Sequence, residues 1–278
     1  IIDDARARLT LLPEGSLDAV VSQPSHPWLA GSSALYTLEF FRQVASRLRD
    51  GGVFSLWLNR FRIDLAAIRD VTRTLLEVFP SARLFIMNDE SVLFIATKGA
   101  SRLDSPLPER FEETEALRAS FESVGIGALP ELLARHELSG DGLRAFAEKG
   151  AIILDDQPVL ELRLQRIRPG QGVSDREIAD AFESLPFMSA EDLNALEAET
   201  IRSLFRAKIE RAAYNQKEID RIELTLSEST IDAESRAYIE GAIAEARGLL
   251  DDAVKAYHRS DLIEARAARA RIKGDTLP

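Results

Sequence analysis

With 278 residues, 45% hydrophobic and 29% charged, the chain is long enough to bury a sizeable core in more than one domain, and a disordered protein is excluded. Thirty-five Lys plus Arg against 46 Asp plus Glu give a formal net charge of -11, a field that repels nucleic acid and anionic membrane surfaces. The sequence has no cysteine, which excludes a disulfide framework and thiolate metal ligands and fits a reducing, cytoplasmic compartment.

The first residues, IIDDARARL, lack a Met and open on an apolar pair that reads as the end of a strand, so the chain is expected to begin mid-domain. Residues 17–22, LDAVVS, read as a short buried strand. Residues 34–49 place Leu38, Phe41, Ala45 and Leu48 at helical spacing, and Asp50-Gly51-Gly52 ends that helix. VFSLWL at 53–58 is the next strand and 64–79 the next helix, closed by Pro80. The runs 83–88 and 91–97 form an apolar pair joined at Asn88-Asp89. Strand, helix, strand, helix, hairpin implies an α/β fold with crossover units, a parallel sheet and an antiparallel edge.

From Pro106 the pattern changes. Residues 107–149 hold short helical segments broken at Gly125, Gly127 and Gly140, and AIILDDQPVLELRL at 151–164 reads as an extended segment centred on Asp155-Asp156. RPGQGVSD at 168–175 combines Pro, two Gly and a helix N-cap in Ser174, so the expected division is an α/β domain at 1–167 and a helical region at 168–278. Helices are expected at 174–185, 189–210, 212–226, 231–246 and 249–259, followed by a frayed basic tail at 262–273. RAYIEGAIAEARGLLDDAVKAYHRS puts Gly241, Gly248, Ala253 and Tyr257 where a tetratricopeptide repeat keeps its small and aromatic contact residues. An ordinary antiparallel helix pair would use the same residues.

The loop after the first strand, SQPSHPW at 22–28, holds the chemistry-bearing residues. In an open parallel sheet, ligands bind beyond the carboxyl ends of the strands. Pro24 and Pro27 fix two φ angles and hold Gln23 and His26 extended, so their side chains can line a site. Trp28 either caps a hydrophobic core or contacts a substrate. His136 and His258 lie among charged residues and read as surface. No histidine pair has metal-ligand spacing, and no metal is expected.

D-A-R at 4–6, L-D-A-V-V-S-Q-P-S-H-P-W at 17–28, G-x-x-x-L-Y-T-x-E-F-F at 31–41, L-R-D-G-G-V-F at 48–54, W-L at 57–58 and D-D-Q-P-V-L-E at 155–161 together resemble a spermidine synthase-like protein. The resemblance covers roughly the first 165 residues, in order. It implies the C-terminal half of a class I methyltransferase-like, Rossmann-like sheet, with an adenosyl cofactor across the strand ends. The cofactor it implies is decarboxylated S-adenosylmethionine or S-adenosylmethionine itself. By resemblance, Asp4 accepts a hydrogen bond from the adenine amino group, with Ala5 beside the ring. The glycine-rich first turn and the ribose-binding acid of the family have no counterpart in this sequence.

Family catalysis transfers an aminopropyl group to a polyamine nitrogen, using an Asp after this strand as proton acceptor and another Asp three residues on to hold the cation. Gln23 and His26 stand at those positions. Glutamine takes no proton, whereas a histidine, with a reference pKa near ~6.5, serves as a base close to neutrality. His26 is therefore the expected catalytic base, with Gln23 beside it. By resemblance Tyr36 lies near the acceptor, and Asp155 and Asp156 near the rim; Trp28 is the candidate substrate contact of the loop itself. Glu39 either restores negative charge there or meets the positive start of the next helix.

Three functions follow as expectations: an aminopropyltransferase acting on a small amine or polyamine, a methyltransferase on the same fold, or a non-catalytic scaffold that binds a protein partner through 174–278. No run reaches the ~18–20 apolar residues of a membrane span and no signal peptide is visible, so this segment is expected to make no membrane contact. Larger relatives often carry membrane-spanning segments before the catalytic part, so an anchored intact protein is an expectation of the resemblance. Without its neighbour, the 17–22 strand would leave an open edge favouring homo-oligomers and would bind no adenosyl cofactor tightly.

Overall fold

The computed structural model describes residues 4–88, 91–99, 114–168, 170–212 and 215–274. Two compact units divide the chain: residues 1–102 with 137–181, and residues 103–136 with 182–278. Part of the 107–149 region, the residue Asp89 and the residues Ile1 to Asp3 lie outside the described residues.

The described part of the first unit opens with helix α1, Ala5–Thr10, and the strand end expected at the first residues lies outside the described residues. Asp4 is its N-cap: the carboxylate accepts the Ala7 N–H at 2.7 Å, satisfying a donor that has no partner inside the first turn. Strand β1, Leu17–Ser22, pairs in parallel with β2, Leu48–Asn59, through a crossover that holds a 3-10 turn at Ser32–Tyr36 and helix α2 at Leu38–Arg47. Helix α3, Leu65–Leu76, leads to β3, Arg83–Asn88, and β4 follows at Ser91–Thr97. A short β5, His136–Leu138, completes the order β1-β2-β4-β3-β5.

Two sheet expectations are corrected. The β3–β4 hairpin does not simply add to the edge, because β4 pairs antiparallel with both β2 and β3 and lies inside the sheet. Its Val92, Phe94 and Ala96 are buried, and a near-continuous apolar run suits an inner strand. Conversely β1 is not buried. Among the described residues it pairs with β2 alone, and Val21 is 76% exposed.

β2 also starts earlier than its apolar run. Asp50-Gly51-Gly52, read as a helix stop, sits within the strand, where a Cβ at Gly52 would meet the Arg49 carbonyl at 2.8 Å. Close backbone approach demands glycine there, and the β1–β2 register shifts opposite, between Leu17 and Ala19. Behind the sheet the Phe41 and Phe54 rings lie 5.8 Å apart and those of Phe54 and Phe79 5.6 Å. Each such ring, fully buried, contributes roughly 1.5–3 kcal/mol.

Residues 151–158 strap the unit together. Buried Asp70 on α3 accepts the Ala151 N–H at 2.7 Å, Thr74 accepts the Ile153 N–H at 3.0 Å, and the Ile153 carbonyl accepts from Leu38 at 2.8 Å. A bridge between Leu154 and Gln157 closes a turn around Asp155-Asp156. The rest of the expected extended segment is helical, over Val159–Leu164, because Pro158 precedes a run with helical burial of Leu160 and Leu164. Residues 170–175, read as a linker, lie in this unit, with the Val173 N–H donating to the Ile63 carbonyl at 2.7 Å.

The second unit is helical. The expected 189–210 helix is two, Ala190–Asn194 and Ala198–Ala212, since Ser189 caps the first and its chain stops at Ala195. Others span Glu115–Glu122, Leu129–Leu133, Gln216–Glu228, Ala233–Ala246 and Leu250–Tyr257. The tail read as frayed is a helix, Ile263–Lys273, that buries Ala265 and Ala268. His136, read as surface, is 1% exposed, with Nδ1 2.8 Å from the Phe187 carbonyl. Buried Lys208 donates to the carbonyls of Ala134 and His136 at 3.2 and 2.8 Å. In the pair Ala233–Ala246 and Leu250–Tyr257, the Tyr257 ring lies where a Cβ on Gly241 would come within 2.5 Å.

Candidate functional site

β1 and β2 are parallel neighbours, with Ser22 opposite Leu56, so the loops that follow them leave the same edge of the sheet. They meet as a stack of rings. His26 lies on Trp28 at 4.9 Å between centroids and 8° between planes, and Phe61 packs against His26 at 5.5 Å. The Trp28 indole N–H donates to the Phe61 carbonyl at 3.4 Å, and the Arg62 guanidinium covers the indole at 4.5 Å.

The second loop is built by an Asn and a strained Arg. The Asn59 side chain accepts the Phe61 N–H at 2.7 Å, turning the chain at the end of β2. Arg62 has a φ of 56°, in the left-handed region, which costs about 1–2 kcal/mol for a side-chain-bearing residue. Its guanidinium offsets this by donating to the carbonyls of Ile167 and Gln165 at 2.8 and 3.3 Å.

Beside the ring stack is a cleft of 570 Å³ lined by His26, Arg60, Phe61, Arg62, Gly172 and Ser174 among others. Arg60 is only 4% exposed. Its Nη2 donates to Asp175 at 2.6 Å and to the Val173 carbonyl at 3.4 Å, while Nε and Nη1 have no partner among the described residues. The His26 Nδ1 is likewise covered and without one. Buried donors and acceptors normally find partners, so three orphan nitrogens on residues lining one cleft mark it chemically.

The remaining candidates form a second cluster. Arg6, one residue beyond Ala5, donates twice to Asp155, at 2.9 and 2.7 Å, and Thr37 adds a third bond to the same carboxylate at 2.6 Å. The Arg6 hydrogen bond, helped by Thr37, holds the Asp155 carboxyl below its ordinary value. Glu39 accepts the Asp155 N–H at 3.0 Å, and Asp156 is exposed at the turn. Tyr36 is fully buried beneath, its hydroxyl donating to the Trp57 carbonyl at 3.2 Å, and burial raises its phenol well above the usual range. The structure thus joins His26 to Trp28, with exposed Gln23 earlier in the same loop, and ties the Asp4 helix to Asp155. Arg60, Phe61 and Arg62 escaped the sequence reading, although N-R-F-R directly after an apolar strand was the available signal.

Asp4 and Ala5 are both exposed. Capping engages the Oδ1 of Asp4. Among the described residues, no group of three or more His, Cys, Asp or Glu is placed to hold a metal, and no helix is long and apolar enough to cross a membrane.

The sheet and its flanking helices define an α/β protein, in which β1 and β2 are parallel and β4 runs antiparallel between β2 and β3. No family model matches the chain, and no curated protein matches it either. Among solved structures it is similar to a protein described as a probable spermidine synthase from Corynebacterium glutamicum, with 16% identity and a TM-score of 0.39, over 56% of this chain and 53% of that one. The chain therefore spans about half of that protein. It is also similar to one described as a DNA modification methylase from Thermus thermophilus, with 19% identity and a TM-score of 0.28, over 62% of this chain and 96% of that one.

Proposed function

We propose that the intact protein is a cytoplasmic transferase of the spermidine synthase-like kind that uses an S-adenosyl donor and binds its acceptor in the cleft beside His26. The observation that supports this reading most is the position of that cleft, at the carboxyl ends of β1 and β2, with an unpartnered imidazole nitrogen on its wall. Asp4 and Ala5 would hold the adenine, and the bound donor would supply a carbon activated by its sulfonium. His26 accepts the proton of the attacking group at Nδ1, an orphan site. Trp28, fixed by its stack with His26 and by Arg62, forms the apolar wall over the transferred group. Gln23 contributes a hydrogen bond, since it cannot ionise. Aminopropyl transfer from the decarboxylated donor and methyl transfer from S-adenosylmethionine both suit this arrangement.

Calorimetry of the intact protein with S-adenosylmethionine, its decarboxylated form and methylthioadenosine tests the reading. Binding of at least one is the expected result, and binding of none overturns it.

A scaffold reading draws on the helix pair whose Gly241–Tyr257 contact resembles that of a tetratricopeptide unit. A defined protein partner held by the intact chain, together with no adenosyl binding, would favour it.

A further inference from the structure

We infer that the cleft beside His26 takes an acceptor bearing an oxyanion, a carboxylate or phosphate, and not a polycation. This deepens the transferase reading and names the acceptor class for the same cleft. The guanidinium of Arg60 is almost fully buried, yet only Nη2 is paired; Nε and Nη1 each keep an unpaired donor, one on either side of the Nη2 that Asp175 holds, and either can give an anion oxygen a charge-assisted hydrogen bond. The His26 Nδ1, on the same cleft, supplies a third position that donates when it carries the proton.

Charge agrees with this geometry. The residues lining the cleft include Arg60 and Arg62 and no carboxylate, in a protein whose formal net charge is -11. The carboxylate at hand, Asp175, is 68% exposed and engages Arg60 from the other terminal nitrogen. A polyamine would meet the Arg60 and Arg62 guanidinium groups, with Gln23 and His26 standing in place of the carboxylates of the spermidine synthase-like pattern. Gly172 lets the 170–175 segment pack closely on the loop after β2: a Cβ there would lie 3.0 Å from the Arg60 carbonyl. The three orphan nitrogens are covered in the free protein, and Phe61, 48% exposed, packs on the His26 ring at the cleft.

The test is a nitrogen-15 NMR titration of the intact protein at constant ionic strength, following the Arg60 Nε–H and the His26 ring nitrogens. Inorganic phosphate and acetate are the two anion probes, and spermidine is the control. At least one anion should shift both residues saturably, and whichever binds more tightly names the oxyanion; spermidine should shift neither. Asp175→Asn, which removes the negative charge competing for Arg60, should tighten the anion several-fold. Arg60→Gln should weaken it by about 10–100-fold, the loss of one or two charge-assisted hydrogen bonds. Should that variant misfold, the wild-type and Asp175→Asn titrations still decide.

Resonances that stay unmoved by both anions, or that spermidine moves instead, overturn the inference. Adenosyl binding by calorimetry alongside separates the two readings. Cofactor without anion removes only the oxyanion acceptor, whereas anion without cofactor leaves the anion site and removes the transferase.

Discussion

The Arg6 guanidinium grips the Asp155 carboxylate through two hydrogen bonds, at 2.9 and 2.7 Å, across 149 positions of sequence. This pair pins the turn at 154–157 against the first helix of the chain, and Thr37 locks the same carboxylate from the start of α2. The carboxyl ionises below its ordinary value of 3.8 in the folded state. A depressed carboxyl stabilises the fold fully above its unfolded value, and that contribution is lost as pH falls through the lower folded value.

Asp155→Asn should therefore lower stability near neutrality and flatten the loss of stability below pH ~3.9. The carboxylate side chain is 38% exposed, so screening limits the cost to roughly 0.5–1 kcal/mol. Thermal melts of both proteins across acid pH check this; parallel curves would deny the pair its role.

His26→Gln should reduce turnover by about 10²–10⁴-fold, the usual contribution of a general base, with adenosyl affinity nearly unchanged. The competing outcome is structural. The imidazole stacks on Trp28 and contacts Phe61, so unchanged turnover with a lower melting temperature would assign His26 to loop packing alone.

Asp70→Ala should destabilise the first unit by about 1–3 kcal/mol, because the Ala151 N–H loses its acceptor in a buried setting. Arg163, which donates to the same carboxylate at 2.8 Å, loses a partner as well. Chemical denaturation measures the difference, and hydrogen exchange at Ala151 localises it. Protection at Ala151 equal to wild type would contradict the assignment.

Gly241→Ala should cost the helical unit roughly 1–3 kcal/mol through overpacking, since the new methyl lands on the Tyr257 ring, itself fully buried and bonded to Glu245 at 3.1 Å. Adding Tyr257→Leu should recover part of that loss, as a double-mutant cycle would show. Additive effects would mean the two positions do not touch.

Val21→Lys should reduce any self-association at low micromolar concentration, because a charge on an exposed edge strand opposes pairing with a second copy. Sedimentation velocity of the two proteins reads this directly. Equal sedimentation of both would clear the β1 edge of any such role.

Much of the α/β order was legible in sequence. Strand and helix periods placed β1, β3, β4 and α3 to within a few residues, since each carries its own apolar pattern. The loop at 22–28 was also legible, because two prolines leave it few conformations. Less local features were not. The helix at Val159–Leu164 and the one at Ile263–Lys273 depend on burying one or two residues against distant chain, and the inner place of β4 depends on which edge of β2 lies open.

Composition and pattern alone therefore determined a charged, cysteine-free α/β chain with a helical C-terminal region and a rigid histidine loop. Only the tertiary structure decided which groups that loop faces. Arg60 reads in sequence as one more surface arginine; packing of 170–175 onto the end of β2 buries it, pairs one nitrogen and leaves two unpaired. Periodicity encodes which face of an element is buried. Whether a buried polar atom finds a partner depends on residues more than a hundred positions away, as Asp175 is from Arg60, and no local pattern records that.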